Sequence, residues 1–318
     1  MHSFMLLVII LIPIIGGALL PVLHLSDRRR MMVYVEGLTL ITSVLVFSAI
    51  FLLKGRTFTL LNISGRFTLA FMIDDLGAIF SGMIAFLWPL AVLYSFEYMK
   101  HEERERNFFA FYIITYGITL GISWSASILT LYAFFELLTL STTPLVMHTM
   151  TREAIHASRT YLYYSLGGAA FALAGVVFVL VYGTVPYFTP GGSLDMEAVS
   201  GVLPTMYTVY IMSFFGFGVK TAIFPLCRWL PKAGVAPTPV TALLHAVAVV
   251  KAGAFAAMRV TYYSFGADNL RGTWAQDITM AFAVFTIVYG CARALKETHL
   301  KRRLAWSTVG NLATSCSA

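Results

Sequence analysis

Charge is what this chain of 318 residues has least of. Asp, Glu, Lys and Arg together make 12% of it, against 58% hydrophobic residues. A soluble domain carries about 25% charged and about 45–50% apolar residues. The composition therefore excludes an ordinary soluble fold and is that of a polytopic membrane protein. Cysteine is scarce as well: Cys227, Cys291 and Cys316 stand far apart, with no CxxC and no Cys/His cluster. That argues against a bound iron–sulfur cluster or structural zinc. Neither GxGxxG nor GxxxxGK[ST] occurs, so no nucleotide motif is visible. We expect no cofactor bound to this polypeptide.

What is present is a series of long apolar runs, at about 4–23, 33–53, 71–98, 107–125, 127–149, 157–183, 205–230, 237–262 and 275–295. Each is near the ~20 residues that a helix needs to cross a bilayer. The first run lacks the positive flank of a signal peptide and leads into a chain that is hydrophobic throughout, so it reads as a first membrane helix. A tenth run opens near 304 with LAWSTVGNLATSCSA and stops after fifteen residues, short of a span. The expected fold is an all-α polytopic membrane protein of about nine or ten transmembrane helices, and the chain reads as a fragment or truncated product. Two connections are longer. KGRTFTLLNISGRFTLAF alternates apolar and polar residues around NISGR, the pattern of a β-hairpin at the membrane surface near 54–70. GTVPYFTPGGSLDMEAVSGVLP, rich in Gly and Pro, reads as an exposed loop.

The net charge is +7, and its placement decides what it means. Loops after odd-numbered runs hold fifteen Lys and Arg, among them Arg28, Arg29, Arg30, Lys301, Arg302 and Arg303. Loops after even-numbered runs hold five: Lys54, Arg56, Arg66, Arg259 and Arg271. This bias puts the odd loops in the cytoplasm and the N-terminus outside. The basic residues are spread as topology signals rather than gathered in one patch, so no nucleic-acid partner is expected. Asp74, Asp75 and Glu97 sit near the ends of the third run and read as interfacial charges. KHEERERN, at 100–107, reads as a plain loop.

Two lysines belong to no loop. Lys220 lies in SFFGFGVKTAIFPL and Lys251 in the following run. A charge at the bilayer centre costs about 2.5–3.5 kcal/mol on insertion scales and persists where it faces the bundle interior, a partner or an ion path. Burial makes a lysine easier to deprotonate, and a facing carboxylate opposes that. A Lys/Glu pair that opens and closes can therefore release and take up a proton. Glu136 is the only acidic residue of ILTLYAFFELLTLSTTPLV. Helical spacing puts it on one stripe with Tyr132, Thr139 and Thr143. On the seventh helix Ser213 and Gly216 share the Lys220 face, where Gly216 leaves space for a neighbour or a water. A static structural ion pair is the plainer alternative. His245 precedes Lys251 by six residues, about 9 Å of rise and about 240° of turn, so a relay between them needs water or a distorted helix. The prolines of PKAGVAPTPV (231–240) interrupt the chain between the two helices.

Several stretches carry a resemblance. GVKTAIFPLCRWLPKAGVAPTPVTALLHAVAVVKAG resembles the seventh and eighth helices of the antiporter-like subunits shared by respiratory complex I, Mrp-type multisubunit cation/proton antiporters and energy-converting membrane hydrogenases. FMIDDLGAIFSGM…YSFEYM is similar to the third helix of that family, LYAFFELLTLSTTPLV to the fifth and LKRRLAWSTVGNL to the start of the tenth. The resemblance implies two inverted five-helix repeats with a broken seventh helix in the first. Residues 1–106 would hold helices 1–3, 107–262 the first repeat and 263–318 an incomplete second. It also implies roles: Glu136 and Lys220 as the ion pair, His245 and Lys251 as the relay toward the membrane centre. The implied function is proton translocation in a complex I-like, redox-driven pump (an NADH dehydrogenase, quinone oxidoreductase or hydrogenase). The chain would be a non-redox subunit of it. The alternatives are a subunit of a Mrp-type Na⁺/H⁺ antiporter and a fragment without transport. The implied partners are the lipid bilayer, other membrane subunits and, in a redox complex, peripheral redox subunits. The implied location is the inner membrane of a bacterial or archaeal cell.

Overall fold

The computed structural model describes residues 3–23, 27–63 and 65–317, the side chains of 315–317 excepted. Ser64, within the expected hairpin stretch, and the Cys316 side chain thus lie outside the described residues. The chain folds as helices α1 (Phe4–Leu19), α2 (Arg28–Leu52), α3 (Asp75–Met99), α4 (Glu105–Ser123), α5 (Ile128–Val146), α6 (Arg152–Tyr182) and α7 (Leu203–Thr221). After short helical turns come a composite rod α8 (Thr238–Phe265), α9 (Trp274–Lys296) and α10 (Leu300–Ser317). Among the described residues, seven helical segments are long and apolar enough to cross a bilayer: Arg28–Leu52, Asp75–Met99, Ile128–Val146, Arg152–Tyr182, Met196–Ala233, Thr238–Phe265 and Trp274–Lys296. The protein is thus an all-α polytopic membrane protein. α1 is apolar but has 16 residues, and α4 and α10 fall outside that set of seven.

Side-chain placement follows the membrane reading. Val33, Leu40, Ile41, Val44 and Phe51 point outward from α2, and Ile79, Phe86 and Leu90 from α3. Lipid is as apolar as these side chains, so their exposure carries no penalty there. α4 behaves differently. It is buried along almost its whole length, packed between α1 and α5, and forms the axis of the N-terminal half. Helix contacts use small residues, as membrane packing favours. Gly216 of α7 sits against the backbone of Ala172 and Gly168 on α6. The space on the Lys220 face is filled by a neighbouring helix.

Strands β1 (Thr57–Ile63) and β2 (Phe67–Met72) pair antiparallel, from Thr57 with Met72 to Ile63 with Phe67. The second strand also bonds the α4–α5 connection, through Met72 N to Trp124 O at 2.8 Å and Ala126 N to Ala70 O at 2.9 Å. The segment after α6 is more engaged than its Gly/Pro content suggests. Thr189, Gly191 and Ser193 donate their N–H groups to the carbonyls of Tyr263, Tyr262 and Ser264. These are last-turn carbonyls of α8, which have no acceptor role inside the helix. The expected exposed loop is in part a cap for that end, with Phe188 buried beneath it.

Candidate functional site

α7 stops where its sequence makes it stop. Ala222 takes φ 62°, ψ 44°, a left-handed cap, and Pro225 follows three residues later. The freed carbonyls of Gly218 and Val219 are taken up by Ala222 N, Ile223 N and the Trp229 indole, whose Nε1 donates to Val219 O at 2.8 Å. Such bookkeeping is obligatory at membrane depth. Lys220 lies in this last turn, 0% exposed. The negative end of the helix dipole favours a cation there. Its ammonium donates to the carbonyl of Phe135 on α5 and lies 3.6 Å from the centroid of the Phe135 ring.

Glu136 is the next residue along α5, half-buried, with Oε1 enclosed and without a hydrogen-bond partner. Lys220 and Glu136 lie in each other's field, yet no direct ion pair joins them among the described residues. The pair expected from the sequence is open: Lys220 holds the backbone one residue short of the carboxylate. On the same two helices, Thr139 Oγ1, Ser213 Oγ and Thr221 Oγ1 are buried polar atoms without a hydrogen-bond partner. Tyr132 of the same stripe donates to Ala169 O at 3.4 Å.

His245 and Lys251 sit on α8, which contains the distortion that a relay between them requires. Leu243–Val247 is a π-turn, closed by Ala248 N to Leu243 O at 2.9 Å, and a regular helix resumes at Val249. Inserted π-turns are frequent at functional sites. Both ring nitrogens of His245 are enclosed and unpartnered. Lys251 is half-buried. A single glycine brings its helix against the α7 break: a Cβ on Gly253 would stand 2.6 Å from Thr221 N and 2.9 Å from the Lys220 carbonyl carbon. The four expected residues thus line adjoining helices α5, α7 and α8, without a direct bond between any two of them among the described residues.

One charge expected in a loop is buried. Arg259 is not in a loop. It is 1% exposed, at the head of a second π-turn, Arg259–Phe265. It makes two contacts with Asp74, NH1 to Oδ2 at 2.6 Å and NH2 to Oδ1 at 2.5 Å. Its guanidinium also lies 4.7–5.3 Å from the rings of Tyr263, Phe255 and Phe188. Asp74 is accordingly no freely solvated interfacial charge. It pairs with Arg259 and caps α3 through Gly77 N at 2.9 Å. The signal was available: Arg259 falls inside the apolar run 237–262, as Lys220 and Lys251 fall inside theirs.

The class that this architecture defines is a polytopic helical membrane subunit whose ionisable residues collect where its helices are interrupted. The chain belongs to the NADH:quinone oxidoreductase/Mrp antiporter transmembrane family, whose model matches residues 125–318. Residues 61–109 match the model for NADH-ubiquinone oxidoreductase (complex I), chain 5 N-terminus. The chain is 27% identical, over 319 aligned positions, to Na(+)/H(+) antiporter subunit A1 of Staphylococcus aureus, an alignment covering 95% of this chain and 38% of that protein. Solved structures that share its fold include two membrane complexes. One is the membrane-bound sulfane sulfur reductase, an archaeal respiratory membrane complex (TM-score 0.81, 23% identity, 99% of this chain and 64% of that one). The other is the Mrp complex from Dietzia sp. DQ12-45-1b (TM-score 0.85, 20% identity, 98% and 34%). The chain therefore spans well under half the length of the curated relative that it matches.

Proposed function

We propose that the chain conducts protons as an antiporter-like membrane subunit, working with other membrane subunits in a larger complex of a prokaryotic inner membrane, its N-terminus outside. The observation that carries this reading is Lys220: fully buried, at the break of α7, and bonded to the backbone beside Glu136. In this mechanism the Lys220 side chain rotates to exchange the Phe135 carbonyl for the Glu136 carboxylate. With the pair closed, each charge stabilises the other. With the pair open, a lysine in a low-dielectric interior releases its proton more readily. The neighbouring acceptors are Lys251, on the helix packed against the break through Gly253, and His245 in its π-turn. The unsatisfied hydroxyls of Thr139, Ser213 and Thr221 supply polar stepping points along the same surfaces.

The test is proton uptake in inverted membrane vesicles containing the whole complex, with Lys220→Ala and Glu136→Gln. Both variants are expected to lose most of the uptake while assembling at normal levels. Uptake near wild type in both would falsify the mechanism. Driving by redox chemistry, with peripheral redox subunits attached, is the reading that the sequence resemblance suggested first. The likeness to Na(+)/H(+) antiporter subunit A1 supports a Mrp-type antiporter as the second. Mild-detergent purification with mass spectrometry separates them. Iron–sulfur, flavin or nickel subunits in the complex favour the first, and small membrane subunits together with rescue of a sodium-sensitive host favour the second.

A further inference from the structure

At the end of the bundle that carries the α9–α10 connection, three segments enclose a cleft of about 460 Å³, lined by Arg228, Pro231, Lys232, Tyr289, Arg293, Glu297, Arg302 and Trp306. Four of these eight residues are cationic and one is anionic. None of the five forms an ion pair among the described residues. The tendency of basic residues to collect at one membrane face accounts for cations at this end. It does not account for their convergence on one cleft with an aromatic floor. Tyr289 and Arg293 follow one another at i, i+4 spacing on α9, with Glu297 just past its end, and Arg302 and Trp306 do so on α10, so each helix turns one stripe inward. Trp306 is buried. The Arg293 guanidinium lies 5.2 Å from its ring centroid, and Tyr289 meets the same ring edge-on at 5.6 Å.

The first turn of α10 adds to the positive field. Lys301, Arg302 and Arg303 crowd the positive end of the helix dipole, with no acidic residue in that turn. That arrangement is unfavourable unless an anion offsets it. The α9 stripe also continues away from the cleft. Phe285, four residues before Tyr289 and stacked on it at 5.9 Å, is exposed. Val284 and Val288 beside it are exposed too. A charged cleft thus opens onto an apolar, outward-facing helix surface.

We propose that this cleft seats the phosphate headgroup of an anionic phospholipid, with the acyl chains lying along Val284, Phe285 and Val288. Arg228, Lys232, Arg293 and Arg302 bind the phosphate, and Trp306 and Tyr289 hold the Arg293 guanidinium in place. Arg228 and Lys232 belong to the segment that follows the α7 break, so a bound headgroup fastens that segment to α9 and α10.

The experiment is lipid titration of the purified, detergent-solubilised protein, followed by native mass spectrometry. The probes are dioctanoyl phosphatidylglycerol, dioctanoyl phosphatidylcholine and inorganic phosphate. Phosphatidylglycerol is expected to bind at least 10-fold more tightly than phosphatidylcholine. The Arg293→Gln/Arg302→Gln variant should weaken it about 30-fold, the effect of two lost membrane-surface cations, and leave phosphatidylcholine unchanged. The Arg293→Lys/Arg302→Lys variant keeps the charge and should retain most of the preference, which separates lost charge from lost fold. Equal binding of the two lipids, or a Gln variant that binds phosphatidylglycerol like wild type, overturns the proposal. Inorganic phosphate binding as tightly as phosphatidylglycerol overturns the lipid assignment.

Discussion

Asp74→Asn isolates the worth of the buried Arg259 pair. Asparagine keeps the shape and the cap on Gly77, since it is as good an N-cap as aspartate. It removes the negative charge that faces a guanidinium only 1% exposed. Stripping one partner from a buried ion pair costs about 3–5 kcal/mol, most of it the price of the charge left behind. Here the stranded guanidinium keeps its three aromatic neighbours, which holds the loss to the low end, about 3 kcal/mol. Asp74→Ala also removes the cap, worth about 1 kcal/mol, and should cost about 4 kcal/mol. Arg259→Met leaves Asp74, whose side chain is 19% exposed and reaches water, and should cost less than Asp74→Asn. The double variant Asp74→Asn/Arg259→Met removes both charges and should be more stable than Asp74→Asn alone. The assay is reversible unfolding in mixed detergent micelles, read as a double-mutant cycle. A loss within about 0.5 kcal/mol for Asp74→Asn, or single losses that simply add in the double variant, would refute the pair as an energetic unit.

Gly253→Ala places a methyl group against the backbone of Lys220 and Thr221 and the Thr221 hydroxyl, and overpacking of this kind costs about 1–3 kcal/mol; an unchanged unfolding midpoint would show that α8 does not approach the α7 break so closely. His148, beyond the end of α5, is held below its ordinary pKa by burial, partly offset by its bond to the Glu103 carbonyl at 3.0 Å. Its contribution to stability is therefore complete above about pH 6.5, the unfolded value, and is lost as pH falls through the lowered folded value. His148→Asn should flatten that acid limb of a melting-temperature profile, and an identical limb in the variant would discount the histidine.

Much of the fold was legible because bilayer thickness imposes one length on every span. The apolar runs and the helices agree to within a few residues for α3, α4, α5 and α9. The hairpin was legible from its alternation, and Lys220 because a lone cation in an apolar run has few explanations. Other features were not. Leu243–Val247 and Arg259–Phe265 have ordinary helix-forming sequences, and a π-turn differs from an α-turn by one extra residue that composition does not mark. Arg259 meets a partner 185 positions away, a separation that only the fold closes. That the Lys220 ammonium rests on the Phe135 carbonyl and not on Glu136 is a choice between groups of two successive residues, which helical spacing cannot make.

The polar groups and the helix irregularities of this protein share an origin. Lys220 lies two residues before the left-handed cap of α7, His245 inside the first π-turn of α8, and Arg259 at the head of the second. Each irregularity releases backbone groups that lipid cannot solvate, so each has to be covered by protein. The Trp229 indole covers the first, and the 183–194 segment covers the end of the third. Where covering elements and irregular backbone meet, the interior is polar enough to hold a charge that a regular helix facing lipid could not. At these places a side chain can exchange one backbone or carboxylate partner for another without breaking a helix. If protons move through this chain, the irregularities are therefore the positions at which the path is built, and straightening one should remove conduction even with every ionisable residue retained.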